Sequence, residues 1–386
     1  MTPRRYQLNK RATAALESGH PWIFRKHMSS AASVFPDGQW LQLVDGANRV
    51  VGHGFYHRRG SIAIRILGKG DQPFRSQEVR RRVEASVSRR APLCDETNAY
   101  RVVHGENDQL PAVTVDRYDT VAVVSSYAAG ADGVARLAAR YVRGLLNLSG
   151  VLLRAGKRRL DAAPSPRVVF GEVPETIGVK EDGQRMVVSV RIGQKGGTFL
   201  DLRGLRRLIR GSELQGKSVL DLFSYTGSLG AAAELAGAAR IWHVDSSASA
   251  LALGEASHTL VPDRHRWVQA DAFEWVRKLD RAERFDLVLV DPPQMTSQAR
   301  QVPRALVAYR RLYQALAPRV SPDGILVACC CTSRIEATRF QALVAESLGS
   351  GFHFLARVPA ELDHPVRFPE ADYLKVLVFR RGAKAL

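Results

Sequence analysis

The sequence predicts an α/β protein. An open, doubly wound parallel sheet fills its C-terminal half, and a β-rich N-terminal domain and a central α+β module precede it. Three observations carry that prediction. Residues 218–230 run from an apolar segment, 219–223, through a turn at Thr226-Gly227 into an Ala-rich stretch, 229–239. That is the strand–turn–helix opening of such a sheet. Three further strand-like segments follow, 240–244, 266–270 and 285–290, and they run into Asp245, Asp271 and Asp291 as the first carries Asp221. The first 74 residues instead show short strands broken by Gly and Asp turns.

Taken in order, residues 1–74 offer strands at 41–44, 50–56 and 61–67, punctuated by Asp45-Gly46, Arg59-Gly60 and Gly68-Lys69-Gly70. Residues 75–92 read as a connector helix. Val79, Val83 and Val87 repeat every fourth position, and Ala91-Pro92 ends the helix. Residues 93–190 read as the α+β module, with strands at 100–103, 112–115, 120–125, 151–154 and 186–192 and a helix at 132–146. Residues 191–386 hold the parallel sheet.

The 386-residue chain carries a net charge of +18 and uses 46 Arg against 10 Lys. The excess is uneven: net +11 in residues 1–92, zero in 93–190 and +7 in 191–386. Such a concentrated basic segment is a nucleic-acid footprint. Arg25, Lys26, Arg58 and Arg59 sit beside Trp22, Phe24, Phe55 and Tyr56, and are the candidate RNA contacts. Trp22 and Phe24 themselves read as core residues.

The four cysteines are Cys94, Cys329, Cys330 and Cys331. Three adjacent thiols build neither a disulfide framework nor a tetrahedral metal cage, so reduced cytoplasmic thiols and no metal are expected. No apolar leader or 18-residue apolar run appears, so neither a signal peptide nor a membrane partner is expected.

Carboxyl ends of parallel strands open on one crevice, where ligands bind. Asp221, Asp245, Asp271 and Asp291 are therefore expected to line one site. Each could also be the N-cap of the next helix. The first loop holds Gly227 and Gly230 but neither Gly-x-Gly-x-x-Gly nor a P-loop lysine. An acid-lined crevice without phosphate-cradling glycines suits a cationic, phosphate-free ligand, and S-adenosylmethionine fits. Asp245 is expected to accept from the ribose hydroxyls and Asp271 from the adenine amino group. At the far side, Cys331 ends the strand that begins near Ile325, at the crevice edge shared with Asp291. Cys329 and Cys330 read as buried small hydrophobes, and Cys331 as the reactive thiol.

These residues resemble the bacterial PUA-domain-containing 23S ribosomal RNA cytosine-5 methyltransferases over nearly the whole chain. The matching pieces include Pro21-Trp-Ile-Phe24, His104-Gly-Glu-Asn-Asp-Gln-Leu-Pro111, Val115-Asp-Arg-Tyr118 and Gln194-Lys-Gly-Gly-Thr-Phe-Leu-Asp-Leu-Arg203. Phe223-Ser-Tyr-Thr-Gly227, Asp291-Pro-Pro293, Cys331, Asp363-His-Pro365 and Tyr373-Leu-Lys375 complete them. Leu202, Gly196, Gln109 and Gln294 depart from the usual Gln, Thr, Gly and Lys.

The resemblance implies a Rossmann-like class I methyltransferase domain behind a PUA domain. It implies cofactor contacts from Lys195, Phe199, Asp201, Arg203, Asp221, Phe223, Ser224, Tyr225, Thr226, Gly227, Asp245, Ser246, Asp271, Ala272, Asp291 and Pro292. It further implies catalysis by Cys331 and Asp291 on 23S ribosomal RNA, free or in an assembly intermediate, and allows a homodimer. The alternatives are a sibling acting on another ring atom such as guanine N7, and a non-catalytic RNA-binding protein with a vestigial cofactor site.

Overall fold

The computed structural model describes residues 4–28, 35–156, 166–191, 198–258, 261–280, 282–296 and 298–382. The chain divides into two compact units. One comprises Met1–Glu175 with Leu362–Phe368, and the other Thr176–Glu361 with Pro369–Leu386.

In the first unit, β1 (Arg4–Gln7), α1 (Lys10–Glu17), β2 (Trp22–Phe24), β3 (Trp40–Val44), β4 (Val50–Tyr56) and β5 (Ile62–Lys69) come first. Their sheet has the order β1-β3-β4-β5-β2. Tyr6, Leu16, Ile23, Leu41, Leu43 and Ile64 form its core. On β2 only Ile23 is buried, and Trp22 and Phe24 are half-buried, so the expectation that both rings are core is corrected.

α2 (Ser76–Arg90) follows as its four-residue valine spacing predicts. β6 (Ala99–His104), β7 (Val113–Tyr118), β8 (Val121–Ser126), α3 (Asp132–Leu145), β9 (Gly150–Ala155) and β10 (Arg167–Gly171) build a second sheet in the order β10-β9-β8-β7-β6. Phe55 and Leu67 of the first sheet share one hydrophobic cluster with Val79, Val83, Val113, Val124 and Val151. Residues 1–74 therefore have a core of their own and also lend Phe55 and Leu67 to the core of the module that follows.

The stretch resembling the family at 104–111 is structural in this unit. Buried Arg90 makes a two-pronged ion pair with Asp108, at 2.8 and 2.6 Å. Burial would raise the Asp108 carboxyl, but Arg90 and the His104 N–H hold it below the usual carboxylate range. Asp363 accepts from the Arg101 backbone N–H at 2.9 Å, which explains its presence in the matching tail. Gln109 stands where the resembling family has Gly, and it takes a left-handed φ of 61°.

In the second unit, β11 (Ile177–Glu181) and β12 (Gln184–Val188) form a hairpin. Buried Arg206 on α4 (Arg203–Arg210) grips Glu181 at 2.7 and 2.5 Å, and Arg210 reaches Asp182 at 2.7 Å. The compact units accordingly separate at Glu175–Thr176, ahead of the 190/191 boundary read from sequence.

The large sheet takes β13 (Ser218–Leu222), β14 (Arg240–Asp245), β15 (His265–Gln269), β16 (Phe285–Val290), β17 (Val320–Cys330), β18 (Phe352–Arg357) and β19 (Lys375–Arg381). The order is β15-β14-β13-β16-β17-β19-β18. The first five run parallel, and β19 is antiparallel to both β17 and β18. α5 (Ser228–Leu235), α6 (Ala248–His258), α7 (Ala272–Lys278), α8 (Val302–Leu316) and α9 (Ala337–Leu348) connect the strands. Strand order reverses between β13 and β16, and a ligand crevice belongs at that switch point. α5 is shorter than the sequence suggests because Gly237 takes a φ of 95° before β14 begins. No helix among the described residues is long and apolar enough to cross a membrane.

Candidate functional site

The loop from β13 to α5 is wound tightly: Phe223, Tyr225 and Gly227 all have left-handed φ, of 60°, 53° and 73°. Gly227 must be glycine, because a Cβ there would meet Trp267 at 2.7 Å and His243 at 2.8 Å. Asp245 at the end of β14 braces the loop. Its Oδ2 accepts from the Tyr225 N–H at 2.9 Å, and its Oδ1 from the Ser247 N–H at 2.8 Å. Each oxygen keeps a second lone pair, so the carboxylate is oriented and can still accept from a ligand diol. The Ser224 hydroxyl is buried with no protein partner. The Phe199 and Tyr225 rings meet edge to face at 5.5 Å, and Phe223 meets Phe273 at 5.2 Å. This lining of oriented acid, orphaned hydroxyl and aromatic faces fits an adenosyl ligand. Thr226 is buried, Ser246 exposed, and Ala272 buried at the start of α7.

Asp221 is not in that lining. It is 1 % exposed and turns under α5, where it accepts from the Gly230 N–H at 3.1 Å. Burial pushes its carboxyl up to about 7, with Asp245 adding to the rise. Its Oδ2 also lies 3.3 Å from His243 Nδ1, and His243 Nε2 lies 2.9 Å from His265 Nδ1. Burial holds His243 down at about 3, so its imidazole is uncharged and the contact with Asp221 is a hydrogen bond and not an ion pair. The expectation that four aspartates line one crevice is thus reduced by one.

Asp271 is exposed and is the N-cap of α7, accepting from the Glu274 N–H at 3.1 Å. Arg203 is fully buried and engaged by Glu361 at 2.9 Å, so the guanidinium braces α4 and does not present itself to a cofactor. Asp201 accepts from the Tyr373 hydroxyl at 2.6 Å. Lys195 lies outside the described residues.

Across the switch point, Asp291 and Pro292 follow β16 directly, and Asp291 is half-buried. Cys331 follows β17, also half-buried, with Sγ 3.9 Å from the Pro292 carbonyl oxygen. Parallel pairing of β16 with β17 brings the two strand ends together. The neighbouring thiols differ. Cys329 packs with Leu287 and Leu289 on one face of the sheet, and burial pushes its thiol well above the usual range. Cys330 packs on the other face and receives the Tyr309 hydroxyl at 3.5 Å.

In the first unit, Lys26, Arg58 and Arg59 are exposed. Arg25 is not available as they are: its Nε donates to the Gly60 carbonyl at 3.0 Å and its Nη1 to the Tyr56 hydroxyl at 3.1 Å, and a third bond reaches the His57 carbonyl. It holds the β4–β5 loop. Sequence reasoning assigned no role to Thr332, Tyr373 or Lys375. The signals were the Tyr373-Leu-Lys375 piece of the resemblance and a lysine within the apolar run 374–379.

Comparison with known proteins agrees with this layout. A family model for S-adenosylmethionine-dependent methyltransferases matches residues 150–380, and one for PUA-like domains matches residues 7–69. A ribosomal RNA large subunit methyltransferase of Deinococcus radiodurans is 30 % identical, covering 97 % of this chain and 96 % of that protein. Ribosomal RNA large subunit methyltransferase I of Shewanella amazonensis is 30 % identical, covering 97 % and 99 %. A solved Streptococcus mutans chain, assigned as a SAM-dependent methyltransferase, superimposes with a TM-score of 0.85 at 21 % identity, covering 98 % of this chain and 100 % of that one. A further solved chain, complexed with SAH, reaches a TM-score of 0.86 at 21 % identity, covering 98 % and 100 %.

Proposed function

This chain belongs to the S-adenosylmethionine-dependent methyltransferase family, and on that premise we propose that it methylates C5 of a cytosine in 23S ribosomal RNA through a covalent bond from Cys331. The observation that carries this reading is the half-exposed Cys331 thiol, 3.9 Å from the Pro292 carbonyl of the Asp-Pro-Pro turn. Its two neighbours are buried and chemically occupied as core. The relatives' names support ribosomal RNA as the substrate class. The RNA is met free or in an assembly intermediate, in the cytoplasm.

S-adenosylmethionine, when bound, supplies the methyl group as an electrophile. Asp245 would hold the ribose hydroxyls, Asp271 the adenine edge with its remaining lone pairs, and the 223–227 loop would enclose the rest. Cytosine C5 alone is a weak nucleophile, and a thiolate bond at C6 makes it enamine-like. Cys331 forms that bond as Asp291 hydrogen-bonds the N3/N4 edge. Once C5 has taken the methyl group and the cofactor is left as S-adenosylhomocysteine, a base removes the C5 proton, the C–H electrons restore the C5–C6 double bond, and the C6–S bond breaks with its electron pair leaving on the thiolate. The target base leaves its stack to reach the site, at a cost of a few kcal/mol. Lys26, Arg58 and Arg59 contact phosphates and offset part of it.

The test uses 23S ribosomal RNA carrying 5-fluorocytosine, in which fluorine blocks the final elimination. Wild type is expected to be trapped covalently, with Cys331 in the trapped peptide. Cys331→Ala should abolish methyl transfer while cofactor affinity, read by calorimetry, stays within about twofold, since the thiol makes no cofactor contact in this reading. Methyl transfer at the wild-type rate by Cys331→Ala would sink the cytosine-5 chemistry and favour another ring atom.

A further inference from the structure

Lys375 is a lysine with no surface, 0 % exposed. It opens β19 opposite Cys330 in the antiparallel pair with β17. Its Nζ donates to the Thr332 carbonyl at 2.9 Å and to the Tyr373 carbonyl at 2.8 Å. Thr332 is the residue after Cys331, so the ammonium is anchored on the peptide next to the half-exposed thiol. Thr332 faces the other side of the site as well: its Oγ1 accepts from the Met295 N–H at 3.3 Å, in the loop that follows Asp291-Pro-Pro. One buried lysine thus fixes the segment on which both strand-end groups depend.

Carbonyls solvate an ammonium but do not neutralise it, and a buried cation without an anion is expensive. Among the described residues, the charged and titratable groups that act on it are Cys330 and Cys331, from β17 and its end, and Asp372 and Arg357, which flank β19. Tyr309 of α8 acts in turn on Cys330 and Cys331, and Asp291 at the end of β16 acts on Cys329. Asp372 already pairs with Arg357. Burial draws the lysine pKa down, and Cys330, Asp372 and Cys331 draw it back up. Cys330 lies on the core face and takes the Tyr309 hydroxyl. Of the groups that draw the lysine back up, that leaves Cys331.

We propose that Lys375 is a positioning residue for Cys331: its ammonium, held by the Thr332 and Tyr373 carbonyls, fixes the end of β17 and compensates the charge of the Cys331 thiolate. The proposal rests on the reading of Cys331 as the attacking thiol. A free cysteine titrates near 8.5, and a neighbouring cation lowers that value. Lys375 therefore sets how much thiolate is present at neutral pH.

The test is the pH profile of Cys331 alkylation by iodoacetamide on the full chain without RNA, followed by peptide mapping so that exposed Cys94 is counted separately. Lys375→Met is expected to move the profile up by about one pH unit and to slow alkylation at pH 7 about tenfold. Lys375→Arg, which keeps the charge, should restore most of the rate. A lysine that merely ties two strands together would leave the midpoint unmoved, and identical profiles for wild type and Lys375→Met overturn the proposal. Should Lys375→Met fail to fold, the reciprocal measurement decides, because coupling between two groups is mutual. The Lys375 ammonium, followed by NMR, must titrate lower in Cys331→Ser than in wild type, and an unchanged titration overturns the proposal. Neither readout uses RNA. Loss of 5-fluorocytosine trapping with a shifted profile would end the cytosine-5 reading and leave the lysine–thiolate pair standing.

Discussion

At the scale of single residues, the clearest consequence concerns Asp221. Its carboxyl sits at about 7 in the folded chain against an ordinary 3.8, with burial as the first cause. From about pH 4 to pH 7 the folded chain keeps a proton that the unfolded chain has lost. The stability this provides is complete at the acid end and disappears as pH rises through 7. His243, held at about 3 against 6.5, works in the opposite direction: its contribution is complete above 6.5 and is lost as pH falls towards 3. Asp221→Asn keeps an acceptor for the Gly230 N–H and cannot ionise. Thermal denaturation should show it more stable than wild type at pH 8, with the gap narrowing by pH 5. A gap independent of pH would mean that Asp221 does not titrate in this range. Sequence could not reveal this placement. Alternation along β13 puts Leu220 and Leu222 in one core cluster and Val219 in the other, so Asp221 goes with Val219 under α5. Its partner His243 lies 22 residues further on. Asp245, Asp291 and Cys331 were legible because a strand-end position is fixed by local pattern alone.

At the scale of elements, α5 can lie on β14 because Gly230 has no side chain. A Cβ there would come within 2.2 Å of His243 Cε1 and 2.9 Å of Ile241. The His243 ring cannot swing aside, since it is stacked on Trp267 at 3.9 Å and bonded to His265. Gly230→Ala is therefore expected to cost about 1–3 kcal/mol despite alanine's better helix propensity. Truncating the obstacle should recover part of that loss. In chemical denaturation, the Gly230→Ala/His243→Ala double variant should lose less than the sum of the singles by at least about 0.5 kcal/mol. Strict additivity would show that the two sites do not touch. The βα alternation from β13 to β16 was legible because apolar runs, Gly turns and Ala-rich stretches follow one another at short range. The β11–β12 hairpin was not read as a unit, only a strand at 186–192 being read and assigned to the central module, for the opposite reason. What binds it to the sheet unit is Arg206 and Arg210, reaching back across 25 and 28 positions to Glu181 and Asp182. No local composition announces a buried ion pair of that separation.

At the scale of the whole molecule, the net charge of +18 is a statement about partners. Deleting residues 1–74 would be a poor test of it. Phe55 and Leu67 would leave a cluster they share with Val79, Val113 and Val151, and the rest of the first unit would lose core. Charge substitutions on exposed side chains separate binding from folding. Lys26, Arg58 and Arg59 are exposed, whereas Arg25 is committed to the β4–β5 loop. Each phosphate neutralised on a single strand contributes roughly −0.7 to the slope of log affinity against log salt. Replacing Lys26, Arg58 and Arg59 together by Gln should flatten that slope by about 2 for a 23S ribosomal RNA fragment. Melting of the triple variant should stay close to wild type, as surface substitutions usually move stability by no more than about 0.5 kcal/mol. Arg25→Gln is expected to do the reverse, lowering the melting temperature through the lost loop contacts with little change in slope. If the triple variant keeps the wild-type slope, the phosphates are held by another part of the chain, and the proposed RNA contacts of the N-terminal sheet fall with it.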